Sequence, residues 1–148
     1  MPATIVAGPP LSGKTTYAQG TGLPYLDWDE MYAEVSGMPL HVRAPNDQAI
    51  RSRVHHRFRE AVRASLHSDT VIVRGAPLRS ERDMFRLTKG VSVVVLVVPY
   101  EECVRRLQAS RRPRSVMAAT RDAIRQWWLA YQPSPHDVVR RWSSEVAA

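Results

Sequence analysis

The sequence predicts an α/β fold: a parallel five-stranded sheet with helices on both faces. Five short β-type apolar runs alternate with helix-patterned stretches. The longest run, Val91 to Val98, has the near-continuous valine content of a central strand. The first run is followed by a glycine-bounded loop that opens directly into a helix.

In chain order, Ile5, Val6 and Ala7 form the first strand, and Lys14 to Gln19 has helix-compatible composition without proline. Tyr25 to Trp28 is a second, shorter strand after the turn at 20–24. Asp29 to Val35 reads as a helix ending near Ser36 and Gly37, and 38–45, with two prolines, as a loop. From the cap residue Asn46 a long helix runs to about His67, because Ile50, Val54, Phe58, Ala61, Val62 and Leu66 recur at three- and four-residue spacing. Thr70 to Val73 is the third strand, Ser80 to Lys89 a helix, Val91 to Val98 the fourth strand, and Tyr100 to Ser110 another helix. Arg111-Arg112-Pro113-Arg114-Ser115 interrupts, and a helix resumes from Val116 to Tyr131. Prolines 133 and 135 end it, and Val138-Val139 supplies a short last strand, with the tail from Trp142 unassigned.

A length of 148 residues suits one domain spanning 1–148, and 44% hydrophobic with 24% charged residues is ordinary for a soluble globular chain. Val91 to Val98 is far short of the roughly 20 residues that span a membrane, so no membrane partner is expected. Met1-Pro2-Ala3-Thr4 lacks a secretory pattern, and the only cysteine, Cys103, excludes an intramolecular disulfide; the expected location is the cytoplasm. The net charge is +7. Residues 1–40 hold one base against four acids, so the positive charge is concentrated later in the chain. Only Lys14 and Lys89 are lysines, and arginine grips phosphate with a two-pronged fork, which would suit a polyanionic partner.

The loop Gly8-Pro9-Pro10-Leu11-Ser12-Gly13-Lys14-Thr15 fits G-x-x-x-x-G-K-[ST] between a strand and a helix. Its glycines let consecutive amides, through Thr16, converge on a triphosphate at a helix N-terminus. Lys14 would reach the β and γ phosphates and Thr15 a magnesium ion, making ATP and Mg2+ the expected ligands. Transfer of a phosphoryl group also needs a carboxylate for the attacking hydroxyl and cations for the equatorial oxygens. On an extended strand end Asp27 and Asp29 point the same way and Trp28 the other. Asp27 is then the metal-side carboxylate and Asp29 the base, with helix capping an alternative for Asp29.

Ligands of parallel sheets sit at the carboxyl ends of the strands, so Arg74, Gly75 and Arg79 after the third strand should face the nucleotide edge. Helix phase places Arg53 and Arg57 on one flank of the long helix, leaning toward a neighbouring cleft as acceptor-binding residues. The segment at about 111–115 has the character of a short mobile lid, with Arg121 and Arg125 behind it. His55, His56 and His67 lack zinc-site spacing, Trp127 and Trp128 point about 100° apart on their helix, and Cys103 reads as packing.

On these residues the chain resembles small P-loop kinases of the group that holds shikimate kinase, gluconate kinase and the kinase domain of phage polynucleotide kinase. Leu26-Asp27-Trp28-Asp29-Glu30 is similar to the L-D-x-D segment of shikimate kinases, and Asp29-Glu30-Met31-Tyr32 can be laid on the D-D-Y-R segment of polynucleotide kinases. Both bring a hydroxyl-handling carboxylate onto Asp29. Phe58-Arg59 resembles a Phe-Arg element of shikimate kinases, and 71–83 resembles a strand and S-A-L-K-x-x-Y-R-D motif of gluconate kinases. The resemblance maps catalytic lid arginines onto Arg111 and Arg114. The third strand lacks the Walker-B aspartate of many P-loop proteins, and Tyr32 replaces an arginine of the polynucleotide kinase pattern. The compact form also resembles phage-encoded P-loop ATPases.

The expected activity is therefore transfer of the ATP γ-phosphate to a hydroxyl. The arginine excess favours an acceptor on nucleic acid or a nucleotide, as in a polynucleotide kinase or a DNA-base hydroxyl kinase. A small metabolite or a nucleoside monophosphate is the alternative acceptor. An ATP-binding switch or accessory ATPase is the alternative of another class.

Overall fold

The computed structural model describes residues 2–143. Its elements are β1 (Thr4–Ala7), α1 (Lys14–Gly20), β2 (Tyr25–Leu26), α2 (Trp28–Ser36), α3 (Asp47–Ser65), β3 (Val71–Arg74), α4 (Arg79–Arg86), β4 (Ser92–Val97), α5 (Tyr100–Ala109), α6 (Arg114–Ala130) and β5 (Val138–Arg141). The strands form one five-stranded sheet in the order β2-β3-β1-β4-β5. All of its ladders are parallel, with Ile5 opposite both Ile72 and Val93. The predicted α/β class and the five strands are as the sequence indicates.

A parallel sheet buries both faces, which is why β1, at its centre, is apolar at every inner position: Ile5, Val6 and Ala7 are all fully buried. Alternation sends Ile5, Ala7, Ile72, Val93 and Val95 to one face, against Phe58 and Val62 of α3 and Trp127 of α6. Val6, Val71, Val73, Val94 and Leu96 go to the other, against Ala18 of α1. Each fully buried aliphatic side chain contributes about 1.5–3 kcal/mol. A further cluster of Val98, Cys103, Leu107 and Ile124 joins α5 to α6.

Three boundaries differ from expectation in ways that bear on function. Leu26, not Trp28, ends β2, because Asp27 caps α2: its Oδ1 accepts from the amides of Asp29 at 2.9 Å and Glu30 at 3.2 Å. The strand-end geometry predicted for Asp27 and Asp29 is thereby replaced by a cap and a first-turn residue. Helix α6 begins at Arg114, so the connection from α5 is 110–113 rather than a lid reaching Ser115. Pro113 sits at the helix entry, where its fixed φ of −59° suits the turn into α6. Edge strand β5 runs to Arg141, two residues beyond the predicted pair. The unassigned tail is described only for Trp142 and Ser143; the rest lies outside the described residues.

Arg82 is fully buried and ties three segments together. Its Nη1 donates to the carbonyls of Ala76 at 2.9 Å and Pro77 at 2.8 Å, its Nη2 to the carbonyl of Gln132, and its Nε to Asp137 Oδ1 at 3.2 Å. Asp137 Oδ2 lies 3.0 Å from Arg82 Nη2, close enough to pair electrostatically but off the hydrogen-bond direction, and Arg86 adds a second cation to Asp137. Removing one partner of a buried pair strands the other, so Arg82→Ala should cost about 3–5 kcal/mol in urea unfolding. Arg105→Ala, removing an exposed partner of Glu102, should shift the midpoint far less in the same measurement.

Candidate functional site

Between β1 and α1 the chain makes a tight loop whose shape is set by a few backbone positions. Leu11 (φ 66°) and Gly13 (φ 91°) are left-handed, and Gly13 directly precedes α1. The amides of Lys14, Thr15 and Thr16 open that helix without intrahelical acceptors. Gly8 is required by space: a Cβ there would lie 2.6 Å from Ser12 Oγ and 2.9 Å from the Leu96 carbonyl oxygen. The loop is braced from outside, with Gly8 N–H donating to the Gly75 carbonyl at 3.3 Å and Arg106 Nη1 donating to the Leu11 carbonyl at 3.0 Å. Pro9 and Pro10 carry no amide hydrogen, so the donors of this loop start at Leu11.

Lys14 curls back over its own loop, its Nζ donating to the carbonyls of Gly8 at 2.9 Å and Pro9 at 2.7 Å. The residue is only half-buried by surface, but its ammonium is enclosed, and burial lowers its pKa to about 8 against the raising effect of Asp27. Ser12 Oγ is buried with no hydrogen-bond partner. Such an orphaned hydroxyl, beside free amides and an enclosed ammonium, fits a bound phosphate chain.

Thr15 Oγ1 donates to Asp27 Oδ2 at 2.5 Å, so one carboxylate both caps α2 and meets the loop. Asp29, in the first turn of α2, faces His41, with 4.0 Å between its Oδ2 and the imidazole Nδ1. Arg112 is half-buried; desolvation lowers its pKa, and the nearby charges of Asp29 and Asp27 counter that only in part. Arg111 and Arg114, expected from the resemblance, are exposed.

The other expected residues divide. Arg74, at the carboxyl end of β3, lies over the rings of Phe58 at 5.6 Å and Phe85 at 5.7 Å, and burial lowers its pKa. Arg79 does not face the loop: its Nε donates to the Pro133 carbonyl at 3.0 Å, because α4 starts against the turn after α6. Arg57 pairs with Glu34, near the far end of α2 from Asp29, and Arg53 is exposed. The opposite flank of α3 meets Trp28 of α2, with Arg51 5.7 Å from its ring and His55 edge-on to it. Trp28 also stacks on Tyr32, and Arg43 lies over both rings. Residues not singled out from the sequence are thus His41, Arg43, Arg51 and Arg106. The Asp27-x-x-Glu30 spacing, a capping pattern, was the signal for the start of α2.

A hollow of about 300 Å³ opens beside the loop, lined by Ser12, Leu96, Val98, Arg106, Arg140, Arg141, Trp142 and Ser143. A larger one of about 860 Å³ lies between α6 and β5 and includes no residue of the loop. The charged groups converge at the loop, so the site is assigned there. No helix of the described residues is long and apolar enough to cross a membrane.

The parallel sheet with the glycine-bounded loop between its central strand and α1 defines the fold of the small P-loop kinases. Solved structures that share it include a sugar kinase from a Janibacter species, 22% identical with a TM-score of 0.54, covering 96% of this chain and 84% of that one. A gluconokinase from Sinorhizobium meliloti is 17% identical (TM-score 0.58), covering 99% of this chain and 85% of the other. A shikimate kinase from Bacteroides thetaiotaomicron is 18% identical (TM-score 0.59), covering 88% and 83%. No family model matches the sequence, and no curated protein matches it.

The loop geometry makes a stability series informative. Gly13→Ala places a side chain at a left-handed position and should cost about 1–2 kcal/mol in urea unfolding. Gly8→Ala should cost more, because a backbone carbonyl must move. Gly20→Ala meets nothing within 4 Å and should be neutral or stabilising by up to about 1 kcal/mol.

Proposed function

We propose that this protein is an ATP-dependent phosphotransferase that moves the γ-phosphate to a hydroxyl of a small metabolite. The observation that carries the reading is the convergence of Lys14, the Thr15–Asp27 pair, Asp29 and Arg112 on one loop of this fold. The loop amides and Lys14 hold the phosphates, and the hollow lined by Leu96, Arg106 and Trp142 receives the nucleoside. Thr15 and Asp27 are the residues that would hold Mg2+, which supplies charge neutralisation across the phosphate oxygens. Asp29 takes the proton of the acceptor hydroxyl. A new P–O bond forms to that oxygen as the bond to the bridging oxygen breaks, and its electron pair leaves on the diphosphate. Arg112 gathers the charge of the transferred group.

A small acceptor replaces the nucleic acid that the arginine content suggested. The structural neighbours are described as kinases of a sugar, gluconate and shikimate, and nothing among them supports a nucleic-acid acceptor or a phage origin. Several of the arginines already pair with carboxylates of this chain, as Arg82 and Arg86 do with Asp137 and Arg105 and Arg106 with Glu102. Arg53 and Arg57 are not part of this proposed acceptor site; Arg74 is its candidate cation on β3.

Transfer of labelled γ-phosphate from ATP and Mg2+ to a panel of sugars, sugar acids, cyclic polyols, nucleoside monophosphates and 5′-hydroxyl DNA tests the reading. Label should appear on a small polyol; label on DNA alone, or only free phosphate, would overturn it. Lys14→Ala should abolish transfer. Asp29→Asn should lower kcat by about 100-fold or more while nucleotide affinity stays within a few-fold. Arg112→Ala should lower kcat far more than Arg111→Ala or Arg114→Ala.

The Lys14 ammonium also sets a pH dependence. Its pKa of about 8 in the free protein rises when a phosphate chain pairs with it, so binding above pH 8 requires proton uptake. Affinity for a fluorescent ATP analogue should be level below pH 8 and fall by up to about tenfold per unit above it. The same slope should be absent in Lys14→Met.

A further inference from the structure

Residues 39–42 form a tight turn closed by Val42 N–H donating to the Pro39 carbonyl at 3.0 Å. Its third position has a left-handed backbone, a place that favours glycine or asparagine, and it is held here by His41 at φ 67°. The turn is not loose: Ala44 N–H donates to Tyr32 Oη at 3.0 Å, and Tyr32 Oη donates to Asp47 at 2.6 Å, anchoring this connection to α2 and α3. A side chain held in this backbone region by a braced loop is a reason to look for a role in function. Its imidazole is largely enclosed, with the side chain 22% exposed, and its Nδ1 lies 4.0 Å from Asp29 Oδ2. Asp27, Arg112 and Arg43 are the other charged groups that act on it.

We infer that His41 is a positioning residue of the acceptor site, its Nδ1–H holding one oxygen of the Asp29 carboxylate so that the other is presented to the acceptor hydroxyl. The inference rests on the reading of Asp29 as the proton acceptor. The 4.0 Å separation shortens to hydrogen-bond distance when substrate and Arg112 close around the carboxylate. Burial and Arg112 favour the neutral ring, which has a single N–H; donating it from Nδ1 selects the less common tautomer.

The backbone strain separates a positioning role from a structural one. His41→Gly relieves the turn, so its melting temperature should equal or exceed that of the wild type. Its kcat for the acceptor identified by the panel should still fall about tenfold or more, with KM for ATP unchanged. His41→Asn tolerates the same backbone and retains an N–H donor, and should recover kcat to within about threefold of wild type. Full activity in His41→Gly, or no recovery in His41→Asn, overturns the proposal. Independently of any acceptor, imidazole 15N shifts of the full-length protein at a pH where the ring is neutral should show His41 as the Nδ1–H tautomer. Asp29→Ala should convert it to the Nε2–H form; an Nε2–H ring in the wild type overturns the pairing. If no acceptor on the panel is labelled, the functional reading fails, while the tautomer still decides whether His41 holds Asp29.

Discussion

One carbonyl oxygen holds the working edge of this molecule together. Gly75, just beyond β3, accepts from the Gly8 amide at 3.3 Å and from the Trp127 indole at 2.7 Å. The first bond fixes where the loop leaves β1, and the second fixes where α6 crosses the sheet. A loop that leaves amides unpaired has few internal bonds, here Ser12 N–H to the Pro9 carbonyl and Lys14 Nζ to the carbonyls of Gly8 and Pro9, so neighbours also fix its geometry. Here the neighbours are β3 through Gly75, β4 through the close approach of Leu96 to Gly8, and α5 through Arg106 on the Leu11 carbonyl. The central position of β1 in the strand order makes all three available at once.

The same economy appears at Asp27, whose two oxygens have separate duties. Oδ1 satisfies two free amides at the start of α2, while Oδ2 receives the Thr15 hydroxyl. Capping fixes the carboxylate without occupying the oxygen that faces the loop. Placing the cap at residue 27 also puts Asp29 in the first helical turn, at the positive end of the helix dipole. Trp28 then lies against Tyr32 and under Arg43 and Arg51, forming an aromatic and cationic wall on the side of α2 that meets α3.

The inner strands β1, β3 and β4 were legible because they had to be apolar on both faces, and the loop because its glycines answer a steric need that few other residues meet. The site was legible only in part. Shifting the start of α2 to Trp28 changes which way the side chains near the loop point, and the capping spacing of Asp27 and Glu30 was the weaker of two competing local signals. On α3, periodicity identifies Ile50, Val54 and Phe58 as core but leaves two equivalent flanks. Only the packing shows that Arg51 and His55 lie against Trp28, while Arg57 pairs with Glu34 further along α2. Between α5 and α6 the sequence offers adjacent arginines, and the early start of α6 leaves Arg112 half-buried while Arg111 and Arg114 face solvent. His41 had no periodic or motif signal, since its placement depends on a left-handed turn that favours another residue type.

The charges of the site bear on how it would select its ligand. Without an anion, Lys14 bonds two carbonyls of its own loop and Thr15 bonds Asp27, so entry of a phosphate chain exchanges these contacts rather than filling empty ones. A weakly charged ligand gains little from that exchange, whereas a polyphosphate gains charge-assisted bonds to several donors together. Asp27 and Asp29 stand close enough to Lys14 to act on its charge, and by the same proximity they repel a phosphate chain. A divalent cation between the carboxylates and the phosphates reverses the sign of that interaction. On the proposed reading, the two aspartates therefore discriminate against free polyphosphate and in favour of its magnesium complex, and Arg112, close enough to act on both, supplies positive charge that they withdraw.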